Sequence, residues 1–412
     1  MDNLKQPRIW GRPIPKLFLG ATLTLAVVLA AAVVATRSAQ AQTYTVLYSF
    51  AGGTDGINPV AGLVRDAKGN LYGTTNEGGA HGYGTVFKVD ASGKETVLYS
   101  FTDTKGDGAY PWAGLVIDAK GNLYSTTLLG GAHNYGTVFA LDTAGTMTVL
   151  YSFTGRAGDG GFPYEGLVRD SMGNLYGTTS QQGAYGYGTV FKLDSTGKET
   201  VLYSFTGTSG DGANPYAGLA RDAKGNLYGT TYYGGLESCN NIGCGVVFKL
   251  DTTGKESLLH TFSGTEGDGA NPSGGLVRDA KGNLYGTTRF SAGGGIVFKV
   301  DATGKETVLY AFSGHADGDE PFNGTLVRDS RGNLYGTTLL GGDLACNLGY
   351  GCGTVFQVDT TGKETALYNF TGTGGDGENP MAGLVRDTKG NLYGTTAYGG
   401  AYGYGTVFKL TP

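Results

Sequence analysis

Several residue types are scarce in this 412-residue chain. It has four cysteines, four histidines, four methionines and two tryptophans, and charged residues make up 16% of it. With only His81, His133, His260 and His315, little material exists for histidine-based metal or acid–base sites. No basic run or stripe occurs, which excludes nucleic acid and anionic membrane surfaces as expected partners. No stretch repeats apolar residues at 3.6-residue spacing, so the body of the chain is not helical. Long apolar runs are also missing, except one from Leu17 to Ala35.

That run follows Arg8, Arg12 and Lys16 and precedes Ala39-Gln40-Ala41, a small-x-small cleavage signal. Residues 1–41 therefore read as a secretory signal peptide, or as an N-terminal anchor if uncleaved. Removing them deletes five Lys/Arg and one Asp and takes the net charge from −5 to −9. The expected mature domain is 42–412. It ends at Pro412 directly after a strand, with no C-terminal sorting tail expected. The expected location is outside the cytoplasm: periplasmic, cell-surface or secreted.

Glycine and tyrosine are plentiful, at 76 and 27 residues. They recur in register. Gly69-Asn70-Leu71-Tyr72-Gly73-Thr74-Thr75 returns six more times, once with Ser125 in place of Gly, at spacings of 52, 52, 52, 57, 50 and 58 residues. A period of this size marks a repeat architecture. Each repeat divides into four short apolar-rich strands. In the first, Ala61–Asp66 turns through Ala67-Lys68-Gly69 into Asn70–Thr75. After a Gly-rich loop, Gly84–Asp90 turns through Ala91-Ser92-Gly93 into Lys94–Phe101. Two hairpins joined by longer loops form a four-stranded antiparallel meander, the blade of a β-propeller. The mature chain begins with a fourth-type strand, Tyr44–Phe50, and ends with a third-type strand, Gly405–Leu410. The expected fold is thus all-β: a single seven-bladed propeller in which the N-terminal strand completes the last blade and removes its open edge. A monomer is expected.

The motifs Gly-Asn-Leu-Tyr-Gly-Thr-Thr, Gly-Thr-Val-Phe-Lys and Leu-Tyr-Ser-Phe, recurring from Tyr44 to Pro412, resemble the GloVer tandem repeats of exported bacterial proteins. The resemblance implies a propeller-like surface protein, often with a terminal anchor, and carries no activity. The pattern is more distantly similar to NHL and virginiamycin-lyase-type propellers, a likeness of fold that does not fix function. Asp194–Lys198 resembles hairpins of quinone-dependent propellers, but their recurrent Trp is absent here. No cofactor is expected.

Short hairpin turns lie on one rim, and the longer loops lie on the opposite face, where binding sites usually sit. The Asp-Gly-x-x-Pro aspartates (Asp55, Asp107, Asp159, Asp211, Asp268, Asp317 and Asp376) read as turn-forming acceptors. One carboxylate per loop is too few for calcium. Arg65, Arg169, Arg221, Arg278, Arg328 and Arg386, recurring beside an Asp in six of the blades, read as interblade or surface ion pairs. Tyr83, Tyr135, Tyr187 and Tyr404 read as packing against the next blade, with stacking on a ligand as the alternative. Cys239/Cys244 and Cys346/Cys352 read as two local disulfides of an exported protein, since zinc spacing and a nearby His are lacking.

Symmetry breaks around blade 5. Between the second Thr of each Thr-Thr and the Gly that opens the third strand stand 8, 8, 8, 13, 6, 14 and 8 residues. The shortest loop lies between the two cysteine-bearing ones. This predicts a notch over Arg289-Phe290-Ser291, walled by Tyr232, Tyr233 and Asn240 on one side and Asp343 and Asn347 on the other. The loop before blade 6 is unusual in holding Asp317, Asp319 and Glu320 together. The candidate ligand-binding residues are therefore Arg289, Phe290, Tyr232, Tyr233, Asp317, Asp319 and Glu320; no catalytic or metal residues are assigned. The function expected is a binding or scaffold module for a polymer such as a glycan, or for a protein. The alternative is a propeller enzyme of lyase, lactonase or glycan-cleaving type, which would need a convergent pair of titratable groups on the long-loop face.

Overall fold

The computed structural model describes residues 42–412, except 105, 157, 209, 237, 238, 240 and 266. The expected signal segment and its cleavage site, and Asn240, lie outside the described residues. The described chain forms seven successive four-stranded antiparallel sheets, a seven-bladed β-propeller. Among the described residues, no helix is long and apolar enough to cross a membrane.

Blade 1 shows how the repeat folds. Its strands are Val64–Arg65, Leu71–Thr75, Thr85–Val89 and Glu95–Ser100. Asp66 organises the first hairpin. Its Oδ1 accepts the Lys68 and Asn70 N–H groups at 2.9 and 2.8 Å, and its Oδ2 accepts the Asn70 amide and the Tyr72 hydroxyl at 2.7 and 3.2 Å. Desolvation alone would raise this carboxyl's pKa, but the four donors hold it below the usual range. Gly69 closes the turn with φ +92°, a conformation that strains any residue with a β-carbon. The heptapeptide is thus a turn, a capping set and a buried strand in one unit.

The N-terminal strand Thr43–Ser49 pairs with Thr406–Thr411, from Thr43↔Thr411 to Ser49↔Thr406, and the Phe50 N–H continues the ladder onto the Gly405 carbonyl at 3.0 Å. It repeats the geometry of an internal fourth strand, including the one-residue bulge, between Val46 and Tyr48 here and between Val97 and Tyr99 in blade 1. Tyr44 stacks on Tyr368 of blade 6 with centroids 3.9 Å apart, joining the closing strand to the neighbouring blade as well as to its own.

The core lies between blades. A fourth-strand Phe meets a third-strand Phe of the next blade edge-on at every seam: Phe50–Phe87, Phe101–Phe139, Phe153–Phe191, Phe205–Phe248, Phe262–Phe298, Phe312–Phe356 and Phe370–Phe408, with centroids 5.0 to 5.3 Å apart. All of these rings are buried, each contributing about 1.5–3 kcal/mol relative to exposure.

The repeat arginines correct one expectation. They are interblade groups but not ion pairs. Arg169, Arg221, Arg278 and Arg328 lie 5.5 Å over the rings of Tyr124, Tyr176, Tyr228 and Tyr285 in the preceding blade, and Arg65 and Arg386 lie 5.7 Å over Tyr393 and Tyr335. The reason is local: the nearest Asp of the motif is already filled by hairpin donors, while the tyrosine face is free.

Candidate functional site

The long-loop face is knit together before any ligand is considered. Each interblade loop bridges to the second-to-third-strand loop of the blade it enters, as Ile57 does with Glu77 and Ala270 with Phe290. The Asp-Gly-x-x-Pro carboxylates serve these loops. Asp107 accepts the Tyr99 hydroxyl at 2.8 Å and the Thr102 N–H at 2.9 Å, and Asp376 accepts Tyr368 and Thr371 in the same way. Asp317 belongs to this set, accepting the Tyr310 hydroxyl and the Ser313 N–H, both at 2.8 Å.

The residue before each proline has a left-handed backbone. Asn occupies it in most loops and spans the seam: the Asn214, Asn271 and Asn379 amides donate to the carbonyls of Ser180, Tyr232 and Leu339 at 2.8–2.9 Å. Ahead of blade 6 that position is Glu320, at φ +51°. Its partner is again the first residue after Thr-Thr in the previous blade, Arg289, but the tie is now an ion pair. Arg289 Nε and Nη2 donate to Glu320 Oε2 at 3.0 and 2.8 Å. The guanidinium also lies 4.8 Å from the Phe290 ring and 4.7 Å from the Phe322 ring. Burial alone would lower its pKa, but Glu320 holds it above the usual value. Burial, followed by the charge of Glu320, raises that of Asp319. The three neighbouring carboxylates thus do not converge: Asp317 belongs to its own loop, and Glu320 belongs to Arg289.

A hollow lies where the loop lengths predict it, and Tyr232 and Tyr233 divide it. On one side a cavity of about 380 Å³ is lined by both tyrosines, Asn271, Phe290, Ser291 and the Cys239–Cys244 loop. On the other, a cavity of about 230 Å³ is lined by Tyr164, Tyr216, the same two tyrosines, Ser273, Arg289, Phe322 and Asn323. The blade 6 residues Asp343 and Asn347 wall neither. Tyr232 is nearly buried, and Phe290 is 38% exposed.

Both disulfides are formed, Cys239–Cys244 and Cys346–Cys352. Their packing follows the repeat. Tyr135, Tyr187 and Tyr404 cover Gly155, Gly207 and Gly52 of the next interblade loop so closely that a β-carbon there would collide with the ring. In blades 4 and 6 the disulfide sulfurs cover the corresponding Gly264 and Gly372. The tyrosines therefore pack as the sequence suggests, and each disulfide stands in for one of them.

Sequence reasoning missed the residue after each proline. In blades 2, 3 and 4 it is Trp112, Tyr164 and Tyr216, which contact one another in series with centroids 5.4 and 5.0 Å apart, and Tyr216 continues to Tyr232 at 5.2 Å. In blade 5 it is Ser273, which leaves the opening. Blade 6 carries one extra residue here, Phe322-Asn323. The signal was present as a column of non-repeating residues at a fixed offset from proline. Also missed was Glu165, which stands where other blades have Ala or Gly and lines the central channel, a cavity of about 370 Å³.

The fold and this face define a seven-bladed β-propeller with an aromatic-walled hollow at the mouth of its channel. Residues 30–243 and 237–412 match the Gloeobacter/Verrucomicrobia repeat, and the chain belongs to that family. No curated protein matches it. Among solved structures it is similar to a puromycin hydrolase mutant (12% identity, 82% of this chain and 50% of that one, TM-score 0.54). It is also similar to a gluconolactonase from Xanthomonas campestris (15%, 74% and 87%, TM-score 0.43) and to a luciferin-regenerating enzyme (13%, 90% and 95%, TM-score 0.44). At these identities the likeness is one of fold.

Proposed function

We propose that this propeller is an exported binding module whose long-loop face between blades 4 and 6 takes a neutral, polyhydroxylated chain, a glycan. The observation that carries the reading is the paired hollow on either side of Tyr232 and Tyr233. Its walls are aromatic, and its polar groups are amides and hydroxyls: Asn271 and Ser291 on one side, Ser273 and Asn323 on the other. Aromatic faces suit the apolar faces of sugar rings, while short polar groups read hydroxyls. Arg289 is matched by Glu320, which removes the reason to expect a strongly anionic ligand. Two disulfides accord with an oxidising, non-cytoplasmic location.

An enzymatic reading needs two titratable groups in hydrogen-bonding reach at the hollow. His260 and Asp268 make such a pair at 3.3 Å, but His260 stands in the fourth strand where other blades use Tyr to bind the same Asp. It is a variant of the structural tie.

The test is a glycan array with the wild-type protein, followed by titration of any hit against Phe290→Ala and Tyr233→Ala. Each should weaken binding about tenfold, as truncated aromatic anchors do. Glu77→Ala, in the ordinary loop of blade 1, is the control. Equal weakening by the control, or no glycan bound by the array, would overturn the reading.

A further inference from the structure

Glu165 has no role in that reading. It occupies the inner-strand position filled by Ala61, Ala113, Ala217, Gly274, Gly324 and Ala382 in the other blades, and it is the one ionisable side chain among the described residues lining the channel. Its Oε2 accepts the N–H of Gly166 at 2.8 Å. No salt bridge reaches it; those found among the described residues are His260–Asp268 and Arg289–Glu320.

A second, independent observation lies beside it. The aromatic post-proline residues Trp112, Tyr164 and Tyr216 belong to blade 3 and the two blades flanking it. Val60, Ser273 and Met381 take that position in blades 1, 5 and 7. The rings meet at interplanar angles of 47° and 74°, which makes concave corners rather than a flat stack. Tyr164 and Tyr216 wall a cavity that shares Asn323 with the channel lining, and Trp112 lies against Tyr164. Corners of π-faces next to a carboxylate without a salt bridge are complementary to a positive charge carried on carbon-rich groups.

We propose that the channel mouth binds an organic monocation of the alkylammonium class, with its charge directed to Glu165 and its alkyl groups against Trp112, Tyr164 and Tyr216. A metal ion fits less well. Calcium seeks six to eight oxygens, several of them carboxylate, and the channel offers one carboxylate. The one trio of metal-ligating residue types found among the described residues, Cys346, Cys352 and Glu378, lies elsewhere and uses both cysteines in a disulfide. Arg289, the one cation facing the same cavity, has its charge answered by Glu320. Desolvation raises the Glu165 pKa to about 7, against the lowering effect of the Gly166 N–H. The proposal shares the Tyr164–Tyr216 cavity with the glycan reading but rests on Glu165, which that reading does not use.

Trp112 provides the probe, because the chain's other tryptophan is Trp10. In the full chain carrying Trp10→Phe, indole emission should change saturably on titration with tetramethylammonium or methylammonium chloride, against sodium chloride at equal ionic strength. Glu165→Gln and Glu165→Ala should each weaken the response tenfold or more, while Glu77→Gln leaves it unchanged. Alanine is native at four of the other six blade positions, so the second variant keeps the fold; equal melting temperatures check this. A response equal to that of sodium, or one unchanged in both Glu165 variants, would overturn the proposal. So would a saturable calcium response lost in both variants with none to the ammonium ions, which would make the channel a metal site.

Discussion

The seam between blades 3 and 4 and the two seams flanking blade 5 are built from the same repeat, yet they are held differently. At the 3/4 seam every tie is made. Phe205 meets Phe248, Arg221 covers Tyr176, the Asn214 amide reaches the Ser180 carbonyl, Tyr187 covers Gly207, and the Thr178 hydroxyl donates to the Ala217 carbonyl at 3.1 Å. At the blade 5 seams the apolar contacts persist as Phe262–Phe298 and Phe312–Phe356. Arg278 and Arg328 still cover Tyr228 and Tyr285, and the Asn271 amide still reaches the Tyr232 carbonyl, but other polar ties change. Thr230 and Thr287, the counterparts of Thr178, are buried with unpartnered hydroxyls, and Glu320 with Arg289 replaces an Asn–carbonyl bond. The ring is therefore uniform where its stability comes from burial and irregular where side chains face the hollow. That separation is what a scaffold with one specialised sector requires, since a single sector can vary without loosening the ring.

The largest effect should test the uniform half of this comparison. Phe205→Ala and Phe262→Ala, in the ordinary and the specialised sector, should each lower stability by about 3–5 kcal/mol, because each leaves a cavity in a close-packed seam. Urea unfolding followed by far-UV circular dichroism measures both. A much smaller loss for Phe262→Ala would show that the blade 5 seam is soft throughout.

Next is the ion pair that replaces the amide tie. Arg289→Ala leaves the half-buried Glu320 without its partner and should lower stability by about 1–3 kcal/mol. Glu320→Asn restores the side chain used in blade 4, 5 and 7 loops and suits the left-handed backbone, so it should be milder. If both changes are equally damaging, the pair acts as more than a substitute tie.

The comparison also shows where the sequence was legible. The heptapeptide period, the hairpin glycines and the displaced terminal strands carry blade count, strand order and ring closure, because backbone geometry repeats wherever the residues do. The hollow was legible as a difference in loop length. The partners within it were not. That Glu320 would reach Arg289 depends on a left-handed residue before Pro321, and that Asp317 would turn inward depends on Tyr310 and Ser313. Trp112, Tyr164 and Tyr216 stand 52 residues apart, and only the packing of successive blades brings their rings, with Glu165 next to Tyr164, into one series.

A pH series separates blades in another way. The fourth strands begin with Glu95, Glu199, Glu256, Glu306 and Glu364, whereas Met147 and Tyr44 stand at that position in blades 2 and 7. Burial, with the charge of Asp55, pushes the Glu95 pKa from 4.5 to about 7; Glu199, Glu256 and Glu364 behave alike beside Asp159, Asp211 and Asp317. A carboxyl with a raised folded-state pKa contributes stability fully below its unfolded value, and this is lost as pH rises through the folded value. The melting temperature should therefore fall by a few degrees between pH 5 and pH 8. At the acid end the hairpin aspartates such as Asp66, whose pKa values are lowered, lose their contribution as pH falls below about 4. Glu199→Gln should flatten part of the alkaline slope, and an unchanged slope would remove these glutamates as its cause.

The smallest effects bear most directly on what is special about blade 5. Thr178→Val removes a hydroxyl that satisfies the Ala217 carbonyl across an ordinary seam, and should cost about 1–2 kcal/mol. Thr230→Val and Thr287→Val make the same change in shape but remove hydroxyls that have no partner. Burying an apolar methyl in place of an unpaired hydroxyl is neutral or favourable, so these two should shift stability by no more than about 0.5 kcal/mol in the unfavourable direction. The orphaned hydroxyl of Thr287 has a structural cause. The equivalent Thr337 donates to Ala382, whereas the Gly324 carbonyl lies so near Gly274 that a β-carbon on that glycine would approach it to 2.6 Å. The extra residue at Phe322-Asn323 immediately precedes Gly324, so the insertion that shapes the hollow accompanies the displaced acceptor. If Thr287→Val costs as much as Thr178→Val, the hydroxyl is satisfied in solution and the blade 5 seam is an ordinary one. If it is neutral while Thr178→Val is not, the missing tie is a property of the sector that carries the hollow.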